Sequence, residues 1–227
     1  MSPGVPDPSS LEDPVESPRA RPSIPRRRCF ALVWHAWVLV GIAIPWVGSG
    51  CATGRPAARG DWSRLEWVAL DGTRHRVAES VREKGLVMVY VSVDCPIANR
   101  CLPEVEALAA DLARRGLKVV RVYAQAQEGP DLIRSHGVEY GLRSEVFRDL
   151  DWSVARAFGV SRTPEAVAVD GRGRVIYCGR INDQFERLGV SRPRPTRHDL
   201  AEALEAHLSG RNPTVRRVPA VGCRFRP

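Results

Sequence analysis

An unbroken apolar run from Leu86 to Val91 leaves this chain few architectures. Apolar residues in succession, without a polar alternate, fit a strand buried on both faces, as in a sheet covered by helices on either side. The run passes into Ser92-Val93-Asp94-Cys95-Pro96. Beyond it, Leu102, Val105, Leu108, Ala109 and Leu112 recur on one face of a helix expected over about 98–115. Cys95 therefore stands where a central strand hands over to a helix. Unpaired N–H groups and the positive end of the helix dipole favour a thiolate there. Pro96 suits the first helical position, which needs no N–H. Asp94 works against the thiolate, because an adjacent carboxylate disfavours a second negative charge. On balance the pattern marks Cys95 as a reactive thiol.

Upstream the chain reads in three pieces. Residues 1–28 hold seven prolines and no apolar periodicity, the composition of a disordered segment. Arg26-Arg27-Arg28 then precede an apolar stretch from Cys29 to Val47, closed by Gly48-Ser49-Gly50. Residues 29–50 are thus expected to be an export signal or a membrane anchor. At roughly 1.5 Å per helical residue the stretch reaches about 28 Å, enough to cross a bilayer, so length leaves both options open. Gly50-Cys51 resembles a bacterial lipoprotein cleavage site, with Cys51 as the lipidated residue; Gly48 departs from the usual Leu or Val. Every version puts the remaining chain in the cell envelope, outside the cytoplasm in the periplasm, where disulfides persist. Residues 51–61 read as a linker.

Lys and Arg outnumber Asp and Glu by 34 to 26. Only Lys84 and Lys118 are lysines, and the arginines are scattered without a basic stripe interleaved with aromatics. That pattern speaks against a nucleic-acid partner.

From Trp62 the elements alternate. Trp62 to Val77, turning at Asp71-Gly72, reads as a hairpin. Strands are expected at 86–93 and 117–123, with short helices around 131–136 and 150–158. Residues 166–169 and 174–177 flank Gly171-Arg172-Gly173, a hairpin signature. A last helix is expected to run from Thr196 as N-cap to Leu208. The order β-α-β-α-β-β-α, with the thiol after the first central strand, is that of a thioredoxin-like α/β fold, a central mixed sheet flanked by helices. The domain is expected over 62–210, with a C-terminal tail at 211–227.

Further stretches carry a resemblance. Gly159-Val160-Ser161-Arg162-Thr163-Pro164-Glu165, just before a strand, resembles the Thr–cis-Pro turn that faces the active cysteine in thioredoxin-like proteins. Asp94-Cys95-Pro96-Ile97-Ala98, Gly179-Arg180-Ile181-Asn182-Asp183-Gln184, Pro195-Thr196-Arg197-His198-Asp199-Leu200 and Ala220-Val221-Gly222-Cys223 resemble the redoxin branch of that superfamily. That branch is the alkyl-hydroperoxide-reductase and thiol-specific-antioxidant family. The likeness covers most of residues 62–225. It implies a thiol–disulfide oxidoreductase without a cofactor, acting on a disulfide-containing protein or a peroxide and recycled by a thiol reductant. Thr163 and Pro164 would hold an extended substrate over the sulfur of Cys95, beside Pro96, and Ser92 would donate a hydrogen bond to that sulfur.

The departures narrow the chemistry. Ala98 stands where a Cys-x-x-Cys pair needs its second cysteine, and Met88 where peroxiredoxins keep a proline. Pro164 occupies the place of the peroxiredoxin arginine, with Arg162 two residues away as the nearest substitute. Without that cation, less stabilises the thiolate and the departing peroxide oxygen, so disulfide exchange is favoured over a peroxiredoxin-like activity.

A resolving thiol must come from elsewhere. Cys101, where similar redoxins carry an aromatic, is six residues further along the helix, about 9 Å of rise and roughly 240° of rotation. Disulfides need Cα atoms within about 7 Å, so a Cys95–Cys101 bridge requires the first turn to unwind. Pro103 eases this, because it cannot donate to the carbonyl of Asn99. The resemblance makes Cys223 the second candidate, while Cys178, in a strand, reads as structural. A reading from another class is a copper-binding chaperone of the same fold, using Cys95, Cys101 and His136 or His198.

Overall fold

The computed structural model describes residues 61–212 and 217–225. The segment at 29–50, Cys51 and the linker up to residue 60 lie outside the described residues. Among those described, no helix is long and apolar enough to cross a membrane.

In chain order the elements are β1 (Glu66–Val68), β2 (Arg74–Arg76), β3 (Gly85–Val91), α1 (Pro96–Arg114), β4 (Leu117–Tyr123), α2 (Pro130–Glu139), β5 (Glu145–Arg148) and α3 (Ser153–Phe158). They continue as β6 (Arg162–Thr163), β7 (Glu165–Val169), β8 (Val175–Gly179), β9 (Phe185–Arg187), β10 (Val190–Ser191), α4 (Asp199–Leu208), β11 (Arg217–Val218) and β12 (Cys223–Arg224). The chain adopts the expected thioredoxin-like α/β architecture. Eight strands form one mixed sheet in the order β11-β8-β7-β3-β4-β5-β1-β2.

β3 lies at its centre, parallel to β4 and antiparallel to β7, and all seven of its residues are buried. Alternation explains why no polar residue is tolerated there. Val87, Val89 and Val91 join a core with Leu102 and Val105 of α1 and Leu200 and Leu204 of α4. Leu86, Met88 and Tyr90 point the other way, into a core with Val154 and Phe158 of α3, Trp67 of β1 and Phe147 of β5. A charge at any of these positions would be desolvated on whichever face it entered. Truncating the fully buried Leu102 to alanine would cost about 2–5 kcal/mol through lost transfer energy and the cavity left behind.

Two boundaries differ from the expectation. α1 begins at Pro96, so Cys95 itself is the N-cap. α4 begins at Asp199 and not at Thr196, because Thr196 has another partner. Its amide and hydroxyl both donate to the Asp183 carboxylate, at 2.7 and 2.6 Å, and the Arg197 amide joins them at 2.9 Å. The segment 217–225, read from composition as a tail, contributes two strands. β11 adds in parallel to β8, where Gly179 has φ +148° and an added Cβ would overlap the Val218 carbonyl. β12 pairs antiparallel with β6.

Candidate functional site

Register brings the site together. Tyr90 of β3 faces Glu165 of β7, so the strand end leading to Cys95 and the start of β7, just after Pro164, lie at the same end of the sheet. The Cys95 amide donates to the Ser92 carbonyl at 3.2 Å, and its own carbonyl accepts from Asn99 at 3.0 Å, opening α1. The Thr163–Pro164 peptide bond is cis, and the Thr163 carbonyl lies 3.2 Å from Cys95 Sγ. β12 runs beside β6, with Cys223 as the direct cross-strand partner of Thr163. Cys95 is 1% exposed and Cys223 half-buried. None of the four described cysteines is in a disulfide.

The protonation state of Cys95 is a contest. Burial pushes its pKa up, since a charge in a dry setting is disfavoured. Against it act the Thr163 side chain, the Ala98 amide, and the amide and side chain of Cys223, and together they hold the thiol below the usual cysteine value. A neutral thiol donates to the Thr163 carbonyl, whereas a thiolate must turn to donors. The Thr163 hydroxyl, buried and without a hydrogen-bond partner among the described residues, is placed to be one of them. Cys101 is driven the other way. Burial, the charge of Glu104 and that of Cys95 raise it to about 12. Cys178 is likewise raised, chiefly by burial, to about 11.

The remaining candidates divide. Pro96 is exposed at the first position of α1. Ser92 corrects the sequence expectation: its hydroxyl donates to Glu128 Oε1 at 2.7 Å, not to the Cys95 sulfur. The Val93 amide shares that acceptor at 2.7 Å. Arg162 does not supply the missing cation either, since its Nη1 donates to the Ala220 carbonyl at 3.2 Å. Both ring nitrogens of His136 are engaged, Nδ1 with the Tyr123 hydroxyl at 2.8 Å and Nε2 with Asn99 Oδ1 at 3.0 Å. His198 Nδ1 lies 2.9 Å from Glu104, which raises its pKa. Among the described residues no three His, Cys, Asp or Glu side chains are grouped to hold a metal.

Two residues escaped the sequence reading. Asn99 Nδ2 donates to the Val93 carbonyl at 2.9 Å, tying the loop before Cys95 to the first turn of α1. Since Asn99 thereby uses its amide as donor, His136 Nε2 carries the proton and Nδ1 accepts from Tyr123. The other is Glu128, whose pKa burial raises and whose Oε2 has no partner among the described residues. It sits in a Gln-Glu-Gly-Pro stretch whose composition signals only a turn. A groove of about 890 Å³ lies at the far end of α1, lined by Ala109, Ala113, Lys118 and Arg143, and none of the residues around Cys95 borders it.

A model of the AhpC/TSA family matches residues 62–178, more than half of the chain. Among solved structures, a hypothetical protein from Sinorhizobium meliloti superposes with a TM-score of 0.65 at 24% identity, over 76% of this chain and 93% of that one. An uncharacterized conserved protein from Geobacillus kaustophilus gives 0.66 at 20% identity, over 77% and 94%. A Chlorobium tepidum protein assigned as thiol:disulfide interchange protein DsbE gives 0.52 at 16%, over 68% and 98%. At these identities the likeness is one of fold. Among curated proteins none matches.

Proposed function

The chain belongs to the AhpC/TSA family, and on that premise we propose that it is a thiol–disulfide oxidoreductase with Cys95 as the attacking thiolate and Cys223 as the resolving thiol. One observation carries the reading: Cys95 Sγ rests 3.2 Å from the Thr163 carbonyl while Cys223 is the cross-strand partner of that same residue. The Cys95 thiolate attacks one sulfur of a substrate disulfide, a mixed disulfide forms, and the other substrate sulfur leaves as thiolate. Cys223, deprotonated, then attacks Cys95 Sγ. The second substrate thiol is released, and a Cys95–Cys223 disulfide remains for an external thiol reductant to reduce. Cys101 is the poorer resolver, because a thiol raised to about 12 offers little thiolate and the helix would have to unwind.

Disulfide exchange ranks above peroxide reduction and above copper delivery. Arg162 donates to the Ala220 carbonyl, which argues against its guanidinium stabilising a departing peroxide oxygen at the sulfur. The domain works outside the cytoplasm, held at the envelope membrane by residues 29–50 or by lipid on Cys51. Fatty-acid labelling that vanishes in Cys51→Ala selects the lipid. The test of the chemistry is to offer the reduced protein a disulfide peptide and hydrogen peroxide separately, with Cys95→Ser as control. Faster Cys95-dependent turnover of the peptide supports the assignment. Faster consumption of peroxide reverses it.

A further inference from the structure

The backbone edge beside Cys95, where a substrate peptide is expected, is already filled by the chain itself. Residues 220–225 lie along it. Cys223 pairs with Thr163 and Arg224 with Arg162, the Phe225 amide donates to the Ser161 carbonyl at 3.2 Å, and Arg162 Nη1 holds the Ala220 carbonyl. Gly222 is buried, and a Cβ there would overlap the Thr163 carbonyl, so no larger residue enters while the strand stays paired. Two residues past the cysteine, the Phe225 ring stands 5.8 Å from Tyr90 and 5.9 Å from Trp152 and packs on the second core. Beneath this strand Cys95 is 1% exposed. A segment that adds to a sheet edge by main-chain hydrogen bonds and drops alternate side chains into pockets is how extended peptides are bound elsewhere.

We propose that residues 220–225 are a tethered occupant of a peptide site, and that the external substrate is an extended cysteine peptide of the same pattern. Glycine precedes its cysteine and an aromatic follows two residues later. This rests on Cys95 being the attacking thiol. The tail lifts, the substrate strand takes its place with its cysteine sulfur at Cys95 Sγ, and the returning tail delivers Cys223 to resolve the mixed disulfide.

The test uses the full chain carrying Cys223→Ser. The probe is the peptide Pro-Ala-Val-Gly-Cys-Arg-Phe, joined through its cysteine to 5-thio-2-nitrobenzoate. Attack by the Cys95 thiolate on the peptide sulfur forms a Cys95–peptide disulfide and expels the coloured thiolate. Release is expected about tenfold or more faster from this peptide than from versions with Gly222→Leu or Phe225→Ala, since each removes one docking feature. Adding Phe225→Ala to the protein loosens the tail and is expected to speed release severalfold. Cys178, buried and raised to about 11, serves as the folding check and should resist alkylation in every variant. Equal rates for all three peptides overturn the peptide site and leave Cys95 an exchange thiol. No Cys95-dependent release from any peptide, with the tail loosened as well, overturns both.

Discussion

Cys95 and Cys101 stand six residues apart on one helix, and their surroundings drive the two thiols in opposite directions. Cys95 is the N-cap, where the first-turn amides have no helical acceptor, and the Thr163 and Cys223 groups reach it from two strands. Cys101 is inside the helix, its amides spent on the helical ladder, with the Glu104 carboxylate one turn away. Both are buried, at 1% and 3% exposure, so burial alone cannot separate them. Donors do. A buried thiol becomes a reagent where the fold delivers N–H and O–H groups to it, and stays inert packing where burial goes unanswered or a carboxylate adds to it.

The largest expected effect that sharpens this contrast is on exchange itself. Cys95→Ser should lower the rate with a disulfide peptide about a thousandfold or more, while Cys101→Ser should change it less than severalfold, measured by stopped-flow release of a coloured thiol. Next comes labelling. At pH 8 a thiol of pKa about 12 is only about one part in ten thousand thiolate, so iodoacetamide should modify Cys95 well before Cys101 when sites are followed by mass spectrometry. Equal labelling would break the comparison.

A smaller effect concerns the loop that carries Cys95. Asn99→Ala removes the bond to the Val93 carbonyl and leaves the His136 Nε2 proton without its acceptor. It should cost about 1–3 kcal/mol in denaturant unfolding. The smallest is a pH slope. Unfolded Cys101 ionises near the ordinary value of about 8.5, whereas the folded thiol keeps its proton to about 12. Its contribution to stability is therefore fully present below about pH 8.5 and is lost as pH rises through the alkaline range. Cys101→Ala should flatten the fall in melting temperature between about pH 9 and 11.

Much of this was legible in the chain. The doubly buried β3, the helix after Cys95 and the Thr163–Pro164 turn each have a local signature: an apolar run, a 3.6-residue period, and a Thr-Pro pair before a strand. The short strands did not. β5, β11 and β12 are four residues or fewer and owe their pairing to partners far away in sequence, so nothing local announces them. Thr196 has the chemistry of a helix cap, yet Asp183 claims it from another segment. Ser92 likewise has the right place for a donor to sulfur, and a buried carboxylate from the loop at Glu128 draws its proton away. Cys223 was visible as a resolver only through family likeness, since what places it beside Cys95 is a two-residue strand pair.

Which thiol partners Cys95 is read directly by disulfide mapping. The reduced full-length protein is oxidised with one equivalent of a disulfide reagent, alkylated, digested without reductant and read by mass spectrometry. The expected product links the peptide holding Cys95 to the one holding Cys223, with Cys101 and Cys178 recovered as alkylated thiols. A Cys95–Cys101 link, or a Cys95 that stays reduced while other cysteines oxidise, would contradict it.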